Sequence, residues 1–264
     1  MSTKFRPLLD DQIQEFVSKG FIRVDNAFDS QLATKVREIL WRDLKVSRED
    51  SEFSSQPVIR LGMYTDAPFV EAANSESLVA AYNSLAGEGC WLAPKAVGTF
   101  PVRFPSPNIP NDTGWHVDMS LDFHNPDFMQ WRVNINSDGR LLLMLFLFSD
   151  VSDQDAPTKL RVGSHMKIAR QLFPYGKSGL TLAELAKNEF RETENCIEAL
   201  ATGAAGTVYL CHPFIVHSAQ AHQGQNPKFM AQPPLLPKPG LCSGALQSPV
   251  QVAIRKAHSP SVSD

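Results

Sequence analysis

The spacing of apolar and polar positions divides the chain into a helical opening and a β-rich body. After Asp10 or Asp11, either of which is a candidate helix cap, Ile13, Phe16 and Val17 fall on one helical face, and Gly20 ends the run. Residues 21–24 (Phe-Ile-Arg-Val) then predict a strand. Ser30 is the expected cap of a second helix carrying Leu32, Val36, Ile39 and Leu40 on one stripe. Residues 45–57 are polar and predict a loop, and a third helix is expected over residues 75–85, stopped by Gly87 and Gly89.

From Ala96 to Val133 the pattern changes to short β-like runs broken by Pro, Asn and Gly. Pro101, Pro105, Pro107 and Pro110 predict a loop rather than regular structure there. Residues 136–139 (Asn-Ser-Asp-Gly) form a strong turn signal. The run that follows, residues 141–148 (LLLMLFLF), is too short to cross a bilayer as a helix and predicts a strand buried on both faces. Helix is expected again around residues 180–190, with Thr181 as cap and Leu182, Leu185 and Ala186 in phase. A turn and strand from Gly203 continue to His217. Residues 232–249 are rich in Pro, Gly and Ser, and 259–264 read as a flexible tail. No internal repeat is visible. The expectation is one α+β domain over 1–258, built as a double-sheet jelly roll with helices packed outside.

Composition narrows the function classes. The 264 residues are 43% hydrophobic and 20% charged, enough for a sizeable core. A net charge of −3 leaves no excess of cations for a phosphate backbone, so no nucleic-acid partner is expected. No signal peptide or membrane partner is expected either. Cys90, Cys196, Cys211 and Cys242 are scattered, with no C-x-x-C pair. They are read as reduced thiols, which predicts a cytoplasmic protein.

The candidate chemistry lies in residues 113–120 (TGWHVDMS). Side chains two apart on a strand share a face, so His116 and Asp118 could reach one metal ion together. An isolated H-x-D is common by chance. Here it has an apolar flank, a buried strand follows it, and a further His stands on the distant apolar run 214–217 (Phe-Ile-Val-His). Two His and one carboxylate with open positions suit non-haem Fe(II) oxygenases. His212 competes with His217 for the third place, and His217 is preferred for its apolar surroundings. Such an iron needs an electron source, commonly a 2-oxoacid held by a cation. Lys228, eleven positions after His217 on the expected strand 228–230, is the candidate, although a surface position is the commoner fate of a Lys.

These residues resemble the phytanoyl-CoA dioxygenase family of Fe(II)- and 2-oxoglutarate-dependent oxygenases. The similarity runs through residues 8–16 and 20–24, the 115–118 dyad, 150–158, Val162-Gly163-Ser164-His165, and 206–213 with Val216-His217. The resemblance implies a double-stranded β-helix, a cupin-like barrel. It implies iron ligation by His116, Asp118 and His217 and use of 2-oxoglutarate and O2, with ascorbate as a further candidate cofactor. It places a cation near Lys228 for the distal carboxylate, where the family usually carries Arg. His165, Ser218 and Thr158 become candidate secondary contacts. Retention of Asp118 favours hydroxylation or desaturation over halogenation.

For the substrate, Trp115, Met119, Phe123 and Phe128 are candidate pocket walls, and Arg60 and Arg103 candidate carboxylate partners. The expected partner is a small molecule, such as an acyl group or a natural-product intermediate. Two other readings share the sequence features. One is a Zn or Mn hydrolase or isomerase on a similar barrel, and the other is a non-catalytic jelly-roll binding module.

Overall fold

The computed structural model describes residues 7–44, 56–239 and 247–258. The N-terminal stretch 1–6, most of the expected loop at 45–57, part of the Pro/Gly/Ser-rich segment, Cys242 and the tail at 259–264 lie outside the described residues.

The central element is β5 (Leu142–Leu147), every residue of which is buried. It pairs with β9 (Val208–Cys211), which pairs with β1 (Phe21–Val24). On its other side it pairs with β11 (Met230–Ala231) and β12 (Pro234–Leu235), completing a five-stranded sheet whose pairings are all antiparallel. The two-residue period of the strand explains the unbroken apolar run. Leu142, Met144 and Phe146 enter a core shared with helix residues Phe16, Val36, Leu40 and Phe69. Leu143, Leu145 and Leu147 enter a second core with Tyr209, Cys211, Ile215, Met230 and Leu160. Leu160 belongs to β6 (Lys159–Arg161), the middle strand of a second antiparallel sheet with β10 (His217–Ser218) and β8 (Glu198–Leu200).

The helical face is covered by α1 (Asp10–Lys19), α2 (Ser30–Leu44), α3 (Ala67–Ala73), α4 (Glu76–Ala86) and α7 (Pro249–Lys256). Helix α7 packs against α1, α4 and α5 (Ser164–Leu172). Helices α3, α5 and α7 were not anticipated. Two caps differ from expectation. The N-cap of α1 is Leu9, whose N–H is met at 2.9 Å by the Gln12 side chain rather than by Asp10 or Asp11. Helix α2 is capped by Asp29, which accepts from Gln31 N–H at 2.6 Å, and Ser30 is its first helical residue. Ser75, expected inside the third helix, is instead the cap of α4; Thr181 caps the short α6 (Leu182–Ala186) as expected, although α6 is shorter than the 180–190 predicted.

Three further corrections concern the β-rich body. Pro101 lies within β3 (Phe100–Arg103), which pairs with β2 (Val58–Leu61), not in a loop. The expected strand 113–120 is reduced to a single bridge at His116, and 214–216 is irregular, with β10 starting only at His217. Cys90 is disulfide-bonded, while Cys196 and Cys211 are free thiols. The expected cytoplasmic location rested on reduced thiols, and this disulfide removes that support. Among the described residues, no helix is long and apolar enough to cross a membrane.

Candidate metal centre

His116 and His217 face each other across an antiparallel bridge, each donating its N–H to the other's carbonyl at 3.0 Å. Residues directly opposite in such a bridge carry their side chains on the same side, and the two ring centroids are 4.2 Å apart. Asp118, two residues beyond His116, brings its carboxylate to the same place. One candidate ligand atom from each of His116, Asp118 and His217 lies within 4.8 Å of the others. Of the two alternatives for the third position, the structure therefore brings His217 to the dyad. His212 is instead fully buried near α7, with its Nε2 3.2 Å from the Val250 carbonyl.

Both imidazoles are set by backbone. His116 Nδ1 lies 2.9 Å from the Gly114 carbonyl, and His217 Nδ1 lies 3.1 Å from the Ile215 carbonyl. A carbonyl oxygen can only accept, so each Nδ1 is the protonated nitrogen and each Nε2 keeps its lone pair. Burial, reinforced by His116, pushes His217 down to about 4, so it is neutral at neutral pH. Burial works to raise the Asp118 pKa, but the Arg140 guanidinium and the two imidazoles outweigh it and hold the carboxyl below its usual value. Arg140 Nη1 donates to Asp118 Oδ2 at 2.7 Å. This residue had no signal in the sequence, because its partner lies 22 positions away.

A second group of ionisable residues gathers around Lys228, just before β11. Lys228 is 1% exposed, not the surface residue that a Lys usually is, and it precedes β11 instead of lying within it. Phe229 belongs to the helix-side core and Met230 to the core between the sheets, so alternation sends Lys228 inward. Its Nζ donates to the Ala156 carbonyl. Arg103 lies directly opposite Lys228 in a bridge and is 3% exposed. Its Nη2 pairs with Asp112 at 2.9 Å, while Nη1 is buried with no hydrogen-bond partner among the described residues. Arg60, 58% exposed, shares the same Asp112. Burial, then repulsion from Arg103, holds Lys228 well below the ordinary lysine range.

The remaining candidates are dispersed. Ser218 Oγ donates to the Thr113 carbonyl at 2.6 Å and so secures the segment leading to His116. Thr158 Oγ1 is 3.5 Å from Met230 Sδ, on the strand that follows Lys228. His165 is buried on α5, with Nε2 3.1 Å from the Val17 carbonyl of α1. The Trp115 ring is occupied by Arg161, 4.0 Å from its centroid, and by Lys159 at 4.7 Å. Met119 is in the helix-side core, and Phe123 and Phe128 are more than half exposed. A cavity of about 1060 Å³ lies between α2 and residues 225–229, and none of the three ligand candidates lines it.

No family model matches the chain, and no curated protein matches it. Solved structures do. The non-haem α-ketoglutarate-dependent carbocyclase SnoK from nogalamycin biosynthesis superposes with a TM-score of 0.59 at 13% identity, covering 90% of both chains. Its fold is the fold of this chain. HygX from Streptomyces hygroscopicus, solved with nickel and 2-oxoglutarate bound, gives 0.53 at 17% identity over 86% of each chain. The α-ketoglutarate-dependent epimerase SnoN, also from nogalamycin biosynthesis, gives 0.53 at 14% identity, covering 84% of this chain and 80% of its own. HygX has also been solved with iron, and with nickel, 2-oxoglutarate and hygromycin B together. Of these three relatives, SnoK and SnoN are non-haem α-ketoglutarate-dependent enzymes, and HygX has been solved with iron and with 2-oxoglutarate bound.

Proposed function

We propose that this protein is an Fe(II)- and 2-oxoglutarate-dependent oxygenase of the phytanoyl-CoA dioxygenase type. Its proposed reaction is hydroxylation at a C–H bond of a small molecule, with release of succinate and CO2. The observation that carries the reading is the convergence of two Nε2 lone pairs and one carboxylate on the fold these enzymes share. In this reading residues 1–258 form one domain, a double-stranded β-helix whose two sheets are those of β5 and β6.

The donor set fits the metal. His116, Asp118 and His217 would hold Fe(II) on one side and leave other positions open. When bound, the iron with its 2-oxoacid supplies the oxidising power for the C–H bond. The chain's own residues do the rest. Gly114 and Ile215 carbonyls fix the two ring tautomers. Lys228 and Arg103 form a buried pair of basic groups, and among the described residues the Arg103 Nη1 has no acceptor. Such a pair suits the distal carboxylate of 2-oxoglutarate, with Lys228 as a point charge and Arg103 contributing part of a fork. Ser218 and Thr158 hold the segments on which these groups stand. A natural-product intermediate is the preferred substrate class, because SnoK and SnoN belong to nogalamycin biosynthesis and a HygX structure contains hygromycin B.

The test is an anaerobic titration with Fe(II) and then 2-oxoglutarate, followed by the weak visible charge-transfer band of chelated iron. The band is expected only with both, and it should disappear in His116→Ala. Stoichiometric iron without a band would instead favour a hydrolytic or isomerising metal enzyme. No metal uptake at all would leave a binding module.

A further inference from the structure

We propose that Arg140 is a positioning residue that commits Asp118 to a single free oxygen, so that the carboxylate offers the metal one donor and not two. The inference rests on the proposed function and concerns how that site stays open. The two oxygens of Asp118 have different surroundings. Oδ2 accepts from Arg140 Nη1 at 2.7 Å, while Oδ1 lies 3.8 Å from His217 Nε2, on the side where the imidazole lone pairs converge. The other arm of the guanidinium reaches the Met119 carbonyl at 3.3 Å, so Arg140 grips the residue after Asp118 as well as its side chain.

Arg140 is itself held. Its side chain is 11% exposed. Its backbone closes the 137–140 turn, where Ser137 Oγ donates to the Arg140 carbonyl at 2.7 Å, and it leads directly into β5. A buried ion pair adds little net stability compared with an apolar replacement, so stability alone is a weak reason for a charge here. A planar fork that can meet a carboxylate and a carbonyl at once is a geometric device that a lysine does not provide. Every extra carboxylate donor closes one open position, and a co-substrate that binds through two atoms, with O2 beside it, needs those positions.

Co(II) serves as the probe, because its visible absorption changes with coordination number and needs no turnover. Wild type, Arg140→Met and Arg140→Lys are titrated with Co(II), and each loaded protein is then titrated with 2-oxoglutarate. If Arg140 only positions Asp118, Arg140→Met binds Co(II) at least as tightly as wild type, having lost a nearby positive charge. Its 2-oxoglutarate affinity falls by about tenfold or more, with an altered Co(II) spectrum before 2-oxoglutarate is added. Arg140→Lys shows the same split in weaker form, and it alone decides if the Met variant does not fold. Unchanged affinities for both, or a parallel loss of both, overturns the proposal. A wild-type protein that takes up no Co(II) would instead remove the proposed function, a distinguishable failure.

Discussion

At the scale of single residues, burial decides which histidines can act. His165 and His212 pack with ring centroids 4.9 Å apart, tilted to one another, beneath α1 and α7. Burial lowers His165 to about 4 and sends His212 well below its ordinary value. In the unfolded chain an imidazole takes its proton near pH 6.5. Between there and about 4, the unfolded state therefore holds more protons, and stability falls as the pH falls. His165→Gln should flatten the pH dependence of stability over that window by about one proton, up to about 3 kcal/mol in total. Denaturant melts across the window provide the check, and an unchanged slope would contradict the assignment. The candidate ligands His116 and Asp118 were legible in the sequence because extended backbone places i and i+2 on one side, and His217 because an apolar run leads up to it. Arg140 was not, because nothing local to it foretells a partner in a different loop. Lys228 was named from sequence as a candidate, but its pairing with Arg103 was not visible there, since the two lie far apart in the chain and meet only across a bridge.

At the scale of elements, the apolar period located the helices and capping chemistry fixed their ends less reliably. Asp29 and Ser30 are both competent caps, and only the Asp29 side chain reaches a free N–H. Asp29→Ala should cost about 1 kcal/mol in a denaturant melt, and Ser30→Ala much less; equal losses would mean that the cap is shared. Helices α5 and α7 had readable stripes, Ile168, Ala169 and Leu172 in one and Val250, Ala253 and Ile254 in the other. The first was masked by a turn-like Gly163 and the second by a Pro-rich approach whose Pro249 stands at the start of the helix, where proline is tolerated. The 113–120 segment alternates in the manner of a strand, with Val117 and Met119 buried, yet its pairing stops at one bridge. Side-chain alternation records burial; a ladder also needs a partner along its length.

At the scale of the whole molecule, β5 is the wall that both cores share. Leu145→Ala should cost about 2–5 kcal/mol in a denaturant melt, since Leu145 is fully buried between the sheets. In the proposed function, the buried basic groups of Lys228 and Arg103 are where an anionic co-substrate enters the same region. A ligand that binds only the folded state raises the melting temperature. With Co(II) present, 2-oxoglutarate should therefore shift the wild-type melt upward, while Lys228→Met should keep its Co(II) affinity and lose most of that shift. A full shift in Lys228→Met would remove Lys228 from the co-substrate site.

The reciprocal pair of backbone bonds between His116 and His217 has a consequence for motion. It joins chain segments about a hundred residues apart in sequence, a long closure for so short a seam. Without metal, the two amides should exchange with deuterated solvent together, through one local opening that leaves β5 closed. A divalent ion shared by their rings would act as a rivet across that seam. It should slow both amides by a common factor, so that the exchange record of two backbone positions reports whether the centre is occupied.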